Sequence, residues 1–274
     1  MKGDLLSPFF RWAVRLAAAI TGGLVLLIIG YILIKGIPHL TPSLFAWQST
    51  SENASVMPSI INTLIMTALA LIIATPLGIG SAVYLVEYAK RGNKAVELIR
   101  LTTETLAGIP SIVYGLFGYL FFVIALGWNY SLLSGAFTLA IMILPLVIRT
   151  TEEALKSVPD SYREGSFGLG AGRLRTVFKI VLPSAVPGIL AGVILSVGRI
   201  VGETAALIYT AGTIAALPQN LLSSGSTLSV HMYVLASEGL YLDQAYSTAV
   251  VLLVIVLLIN FAASALAKRF AKGS

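Results

Sequence analysis

The chain has 274 residues; 57% belong to the apolar set AVILMFWYC, only 11% are charged, and the formal net charge is +6. A soluble domain carries about 25% charged residues, so this composition excludes a water-soluble globule, and its hydrophobicity excludes a disordered chain. The lack of cysteine removes disulfides, thiolate metal sites and cysteine nucleophiles. The basic residues fall between apolar blocks, which excludes nucleic acid as a partner and leaves membrane lipid as the surrounding medium.

Charge-free runs set out the elements in order: Leu16–Ile34, Asn53–Val86, Thr105–Ile148, Ile180–Gly198 and Gln244–Ala267. About 20 apolar residues cross a bilayer core as a helix. Thr105–Ile148 is too long for one helix and has a natural break at Gly127-Trp128-Asn129-Tyr130-Ser131. The pattern therefore predicts an all-α polytopic membrane protein with six spans, near 13–34, 60–86, 105–126, 132–148, 180–210 and 245–267. The first apolar stretch exceeds the roughly 7–15 residues of a signal-peptide core and has no A-x-A site after it, so it reads as an uncleaved anchor. With the N-terminus inside, all of the 18 Lys and Arg residues except Lys35 and Arg199 fall in inside segments, which predicts both termini on the cytoplasmic side. The division expected is 1–59 as anchor helix and external loop, and 60–274 as a five-helix core containing the cytoplasmic loop 149–179. The external segment 211–243 is long and of mixed polarity.

Enzyme signatures are missing. There is no phosphate-binding G-x-x-x-x-G-K-[ST], no H-E-x-x-H and no G-x-S-x-G. His39 and His231 read as solvated loop histidines. The cluster Gly165, Gly168, Gly170, Gly172 fails the dinucleotide pattern, because Arg173 stands at the last glycine and no strand precedes it. The chain reads as a non-enzyme that holds no cofactor or metal of its own.

The loop 149–179 carries a short helix. Ser161-Tyr162-Arg163-Glu164 fits a capping box in which Ser161 and Glu164 satisfy each other's free backbone N–H groups. Gly168 and Gly170 then limit its length, since glycine suits the left-handed position past a helix end. After it come Leu174, Val177, Phe178 and Val181, with Arg173, Arg175 and Lys179 between them. Such a segment suits either an amphipathic connector on the headgroups or a docking element.

Arg199 and Glu203 lie in the fifth predicted span at i, i+4, on one helix face, where they can pair. An intramembrane charge is costly and faces a partner or a wet path. Arginine suits an oxyanion, because its planar fork donates parallel hydrogen bonds and stays protonated. A structural salt bridge, or a span ending at Gly198 with the pair at the interface, fits the same residues. Pro76, Pro110 and Pro145 fall within predicted spans, and small residues such as Gly78, Gly80, Gly115 and Gly118 allow close helix approach.

Glu164-Gly165-Ser166, then Gly170, then Ile180-Val181-Leu182-Pro183 resembles the EAA motif of permeases in bacterial ABC importers. The departure at Gly165 and Ser166, where the family has small residues, usually Ala, is mild. The resemblance implies a MetI-like type I permease core. It also implies that Ser161, Glu164, Gly165, Ser166, Gly170, Ile180, Leu182 and Pro183 belong to the coupling loop, whose helix sits in a cleft of an ATP-binding subunit. Arg199-x-x-Gly202-Glu203-Thr204-Ala205, and Gly108–Gly118, are similar to the phosphate-specific branch. Gly202–Leu207, Ile34–Pro38 and Tyr84–Tyr88 are closer to its A-type chain than to its C-type. Ala206 departs from the usual Pro.

What this resemblance implies is the membrane permease of an ATP-driven importer of inorganic phosphate in the cell inner membrane. Its partners would be a C-type permease, two ATP-binding subunits holding the ATP and magnesium, and an external phosphate-binding protein. Arg199, Glu203 and Thr204 would line the substrate pathway. Sulfate or molybdate as substrate, an ATP-independent transporter, and a phosphate-sensing signalling or scaffold protein remain alternatives; sensing through a regulatory system could also accompany transport.

Overall fold

A computed structural model describes residues 6–50, 53–90, 92–239 and 241–272. Lys2, Glu52 and Arg91, and the side chains of Lys268, Arg269 and Lys272, used above in the charge pattern, lie outside what is described. Among the described residues there are helices and no strand. This is the expected solution for a chain in lipid, where each span must satisfy its own backbone hydrogen bonds.

Helix α1 runs Leu6–Gly36 and ends in a 3₁₀ turn, Ile37–His39. Helix α2 runs Met57–Val83 and continues as a π turn, Tyr84–Tyr88. Helix α3, Lys94–Ala107, is followed by α4, Ser111–Gly118, which continues as a π turn to Ala125. Helix α5 spans Leu132–Lys156. The loop helix α6 is Asp160–Gly168. Helix α7, Arg173–Thr176, leads through a π turn, Val177–Val181, into α8, Leu182–Val201. Helices α9, Ala205–Ile208, and α10, Leu228–Glu238, lie between α8 and α11, Leu242–Lys272. Among the described residues five helices are long and apolar enough to span a bilayer, or six when the bent pair α3–α4 is counted as one broken span.

The predicted break at 127–131 is present, with Gly127 and Asn129 at positive φ. Three spans differ from expectation. The third is not a straight helix over 105–126: α3 and α4 meet at 102°. Pro110 cannot donate a helical hydrogen bond and forces Ile109 out of helical geometry. The Tyr114 hydroxyl donates to the Leu106 carbonyl at 2.8 Å and closes the bend. The string Gly108–Gly118 is this bend, so Pro110 sits between helices while Pro76 and Pro145 lie within them. The fourth helix runs on to Lys156 rather than 148. The fifth begins at Arg173 and stops at Val201, not 210.

The centre is formed by α2, α5, α9 and α10, with Met66, Leu139, Met142, Ile143, Leu207 and Val230 buried together. Lipid competes equally for apolar surface, so close packing rather than water exclusion holds these helices. A Cβ at Gly115 would stand 2.8 Å from Ala206 Cα, so its absence lets α4 lie against α9. Helix α1 packs on α11. Tyr31 and Tyr246 meet edge to face at 5.8 Å, and the Ser247 hydroxyl donates to the Gly36 carbonyl at 3.2 Å. The most apolar stretch of α1 is otherwise bare.

Candidate functional site

The cytoplasmic loop folds as a short helix, as expected, but without the capping box. Pro159 occupies the N-cap with no side-chain bond, and α6 begins at Asp160. Ser161 is then the second helical residue, inside the first turn, where its hydroxyl cannot serve the role of a cap. Gly170 adopts φ +81° past the helix end, whereas Gly168 is the last helical residue.

Ser166 is buried, and its hydroxyl lies 2.8 Å from that of Thr176. This ties α6 to the start of the fifth span, a bond that Ala could not make. Gly165 faces open space. Glu164 is exposed and has no ion pair among the described residues. Tyr162 and Phe167 are exposed apolar residues on the same helix. Ile180 and Leu182 are half-buried, and Leu182 packs on the cluster of Val158, Val177 and Val181. Pro183 stands in the first turn of α8. It has no N–H for the carbonyl of Lys179, and its ring crowds that carbonyl; the wider π turn at Val177–Val181 accommodates it.

Sequence reasoning passed over Arg163 and Glu87, which form the most connected ion pair. Arg163 Nη2 donates to Glu87 Oε1 at 2.7 Å and Nε donates to the same oxygen at 3.2 Å. The side chains are 15% and 8% exposed. The signal available was weak: Glu87 stands directly after an apolar span, and Lys90 and Arg91 at i+3 and i+4 offered nearer partners. A cleft of about 1020 Å³ opens beside the pair, lined also by Lys90, Arg100, Lys156 and Arg173. Arg100 and Lys156 both pair with Glu152, at 2.7 and 2.9 Å.

Within the membrane, Arg199 and Glu203 do not pair. The i, i+4 rule needs a continuous helix, and α8 ends at Val201 with Gly202 as its C-cap. Glu203 is buried. Its Oε1 accepts from the Ala206 N–H at 3.0 Å, capping α9, and its carbonyl accepts from the Ser229 hydroxyl at 2.6 Å. Thr204 is the N-cap of α9 without a side-chain cap bond. Arg199 is half-buried in the last turn of α8 and has no ion pair among the described residues. It lines a cavity of about 580 Å³ with Leu146, Ile194, Leu195 and Asn260. A helix that stops inside a membrane bundle is tolerated where the freed backbone is buried in protein or lines a cavity.

His231 corrects another expectation. It is 4% exposed, on α10, with Nε2 3.1 Å from the Ala54 carbonyl. Burial lowers its pKa from the usual histidine value, against the opposing pull of the Ala54 carbonyl and Glu238. His39 is exposed and lies 3.5 Å from Asp243.

The profile of the family described as "Binding-protein-dependent transport system inner membrane component" matches residues 74–273. The chain belongs to this family. It is 35% identical over 266 residues to the probable ABC transporter permease protein YqgI of Bacillus subtilis (strain 168), with 90% of each chain covered. It is 35% identical over 239 residues to the phosphate transport system permease protein PstA of Xylella fastidiosa (strain 9a5c), covering 86% of this chain and 83% of that one. Among solved structures, a bacterial alginate ABC transporter matches with TM-score 0.68 at 17% identity, over 98% of both chains. The inward-facing MetNI methionine ABC transporter matches with TM-score 0.62 at 21% identity, over 78% of this chain and 94% of that one. These two similarities establish the fold alone, the MetI-like fold of type I importers; the family match makes the chain a multi-pass membrane component of a transport system. Both relatives are named as permease proteins.

Proposed function

We propose that this chain is the A-type permease of an ATP-driven importer of inorganic phosphate in the inner membrane. The second permease is a C-type homologue, two further subunits hold ATP and its magnesium, and an external binding protein delivers the anion. Relatives named as phosphate permeases support this reading. The observation that carries it is Arg199: a cation in a cavity within a membrane bundle, with no carboxylate paired to it among the described residues. Such a guanidinium offers a tetrahedral oxyanion two parallel donors. Glu203 acts at one remove, by holding α9 and the Thr204 turn in place beside that cation. The core is 60–274, and α1 with its following loop is an anchor.

Helix α6 is the coupling helix. Exposed Tyr162, Glu164 and Phe167 meet the ATP-binding subunit, and Ser161, Gly165 and Gly170 shape the helix and its end. Ser166, Ile180, Leu182 and Pro183 join it to the fifth span. ATP binding closes the two nucleotide subunits, α6 moves with them, and the pathway opens outward. Hydrolysis returns it inward and releases phosphate.

The test is labelled phosphate uptake in a host deleted for this chain, at low external phosphate, with sulfate and molybdate as competitors. Restored uptake that ignores both competitors, lost again in Arg199→Ala while the complex still assembles, is the expected result. Uptake that survives Arg199→Ala removes Arg199 from the path. Inhibition by sulfate or molybdate reassigns the substrate.

A further inference from the structure

We infer that α2 is the rod that carries movement of α6 to the Glu203 segment, and that the Arg163–Glu87 pair is its inner joint. The inference rests on the reading of α6 as the coupling helix. It begins with the guanidinium of Arg163, whose nitrogens are all engaged. Besides Glu87, Nη2 donates to the Leu155 carbonyl at 3.0 Å, and Nη1 donates to the Val158 carbonyl at 2.8 Å and to Asp160 at 3.2 Å. One side chain thus joins α6, the end of α5 and the π turn that ends α2. The bond between Ser166 and Thr176 links residues close in the chain, whereas Arg163 and Glu87 are 76 residues apart. A buried ion pair is hard to open, because each charge would be left without its partner. Helix α6 therefore cannot leave α2 as it moves.

The outer end of α2 is fixed in the same manner, by uncharged groups. Asn62 is fully buried, and its Nδ2 donates to the carbonyls of Ala216 and Ser226 at 3.1 Å each. The Thr63 hydroxyl accepts from the Leu228 N–H at 3.0 Å, and the Ser59 and Ser226 hydroxyls are 3.1 Å apart. One residue beyond Leu228, Ser229 donates to the Glu203 carbonyl. A continuous line of bonded groups therefore runs from α6 through α2 to the turn after Arg199. Arg163 and Glu87 are positioning residues in this scheme; neither lines the Arg199 cavity.

The test uses the whole transporter in proteoliposomes. Glu87→Gln keeps the shape and removes the charge. The expected result is normal co-purification of the ATP-binding subunits, continued ATP hydrolysis, and phosphate uptake lowered about tenfold or more, within the range of site-to-site couplings. Glu87→Asp, which keeps the charge, should retain part of the uptake that Glu87→Gln loses. The chain has no cysteine, so with cysteine-free partner subunits spin labels can be confined to Leu64→Cys and Leu169→Cys. Their separation should stay constant when ATP is added to the otherwise unchanged complex and should change in Glu87→Gln. Unaltered uptake with an unaltered label separation in Glu87→Gln overturns the inference. So does loss of the ATP-binding subunits from Glu87→Gln and Glu87→Asp alike, which would make the pair an assembly contact. If the unaltered complex hydrolyses ATP but carries no phosphate, the substrate reading falls, while the label separation still decides the joint.

Discussion

Two glycines in short helices offer a controlled measurement of how tightly α4 is seated. In α4, a methyl at Gly115 would stand 2.8 Å from Ala206 Cα and 3.2 Å from the carbonyl oxygens of Ala205 and Ala206. Ordinary carbon contacts lie at about 3.5–4.0 Å. The nearest atoms are backbone, so α4 and α9 must part by roughly 1 Å. Overpacking of this kind costs about 1–3 kcal/mol. Against that, replacing glycine by alanine within a helix gains about 0.8–1 kcal/mol. At Gly165 the same methyl meets nothing within 4 Å, so only the gain applies. Gly165→Ala should therefore be more stable than Gly115→Ala by about 1–3 kcal/mol, the shared propensity gain cancelling. The assay is denaturant unfolding of the two purified variants in one detergent, followed by far-ultraviolet circular dichroism. Equal stabilities, within about 0.5 kcal/mol, would refute the close seating of α4 on α9.

Further outcomes follow from the same geometry. Ser166→Ala removes the bond to Thr176, whose hydroxyl keeps the Gly172 carbonyl at 3.2 Å; unfolding measurements should show a loss of about 0.5–1.5 kcal/mol. Because His231 titrates below its usual value in the fold, the folded state holds fewer protons than the unfolded one as pH drops through about 6.5. Stability should fall over that window and be regained above it, and His231→Gln should flatten the slope in a pH series of melting temperatures; an unchanged slope argues against it. A side chain at Gly36 would run into the Tyr246 carbonyl and Val250. Gly36→Val should thus free α1 from α11, read as faster motion of a spin label on a single cysteine introduced into α1, while α2–α11 keep their contacts.

Hydropathy and charge were enough to show which segments are long and apolar enough to span, because a bilayer imposes one length and one polarity rule on every helix. They could not place the ends of α4 and α8. Those depend on Pro110, and on Gly202 with the N–H groups of α9 competing for Glu203. The Arg199–Glu203 spacing looked like a pair because periodicity assumes an unbroken helix. The motif Glu164–Pro183 pointed to a short helix in this loop, which α6 is, yet neither Arg163 nor Glu87 was legible as a partner. Their union depends on a tertiary approach across 76 residues, which local spacing does not encode. His231 was misread for the same reason: its ring meets the Ala54 carbonyl, far away in sequence.

The pairing of the first helix with the last has a consequence for biosynthesis. Tyr31 and Tyr246 are 215 residues apart, so at about 5–20 residues per second roughly 10–40 s separate their emergence from the ribosome. Throughout that interval α1 stands in the bilayer without its intramolecular partner. It can wait there because a lone helix satisfies its own backbone, and it gains its partner only when α11 is inserted. A nascent chain stopped before Leu242 would thus expose the flank of α1 around Gly36 to whatever neighbour the membrane supplies.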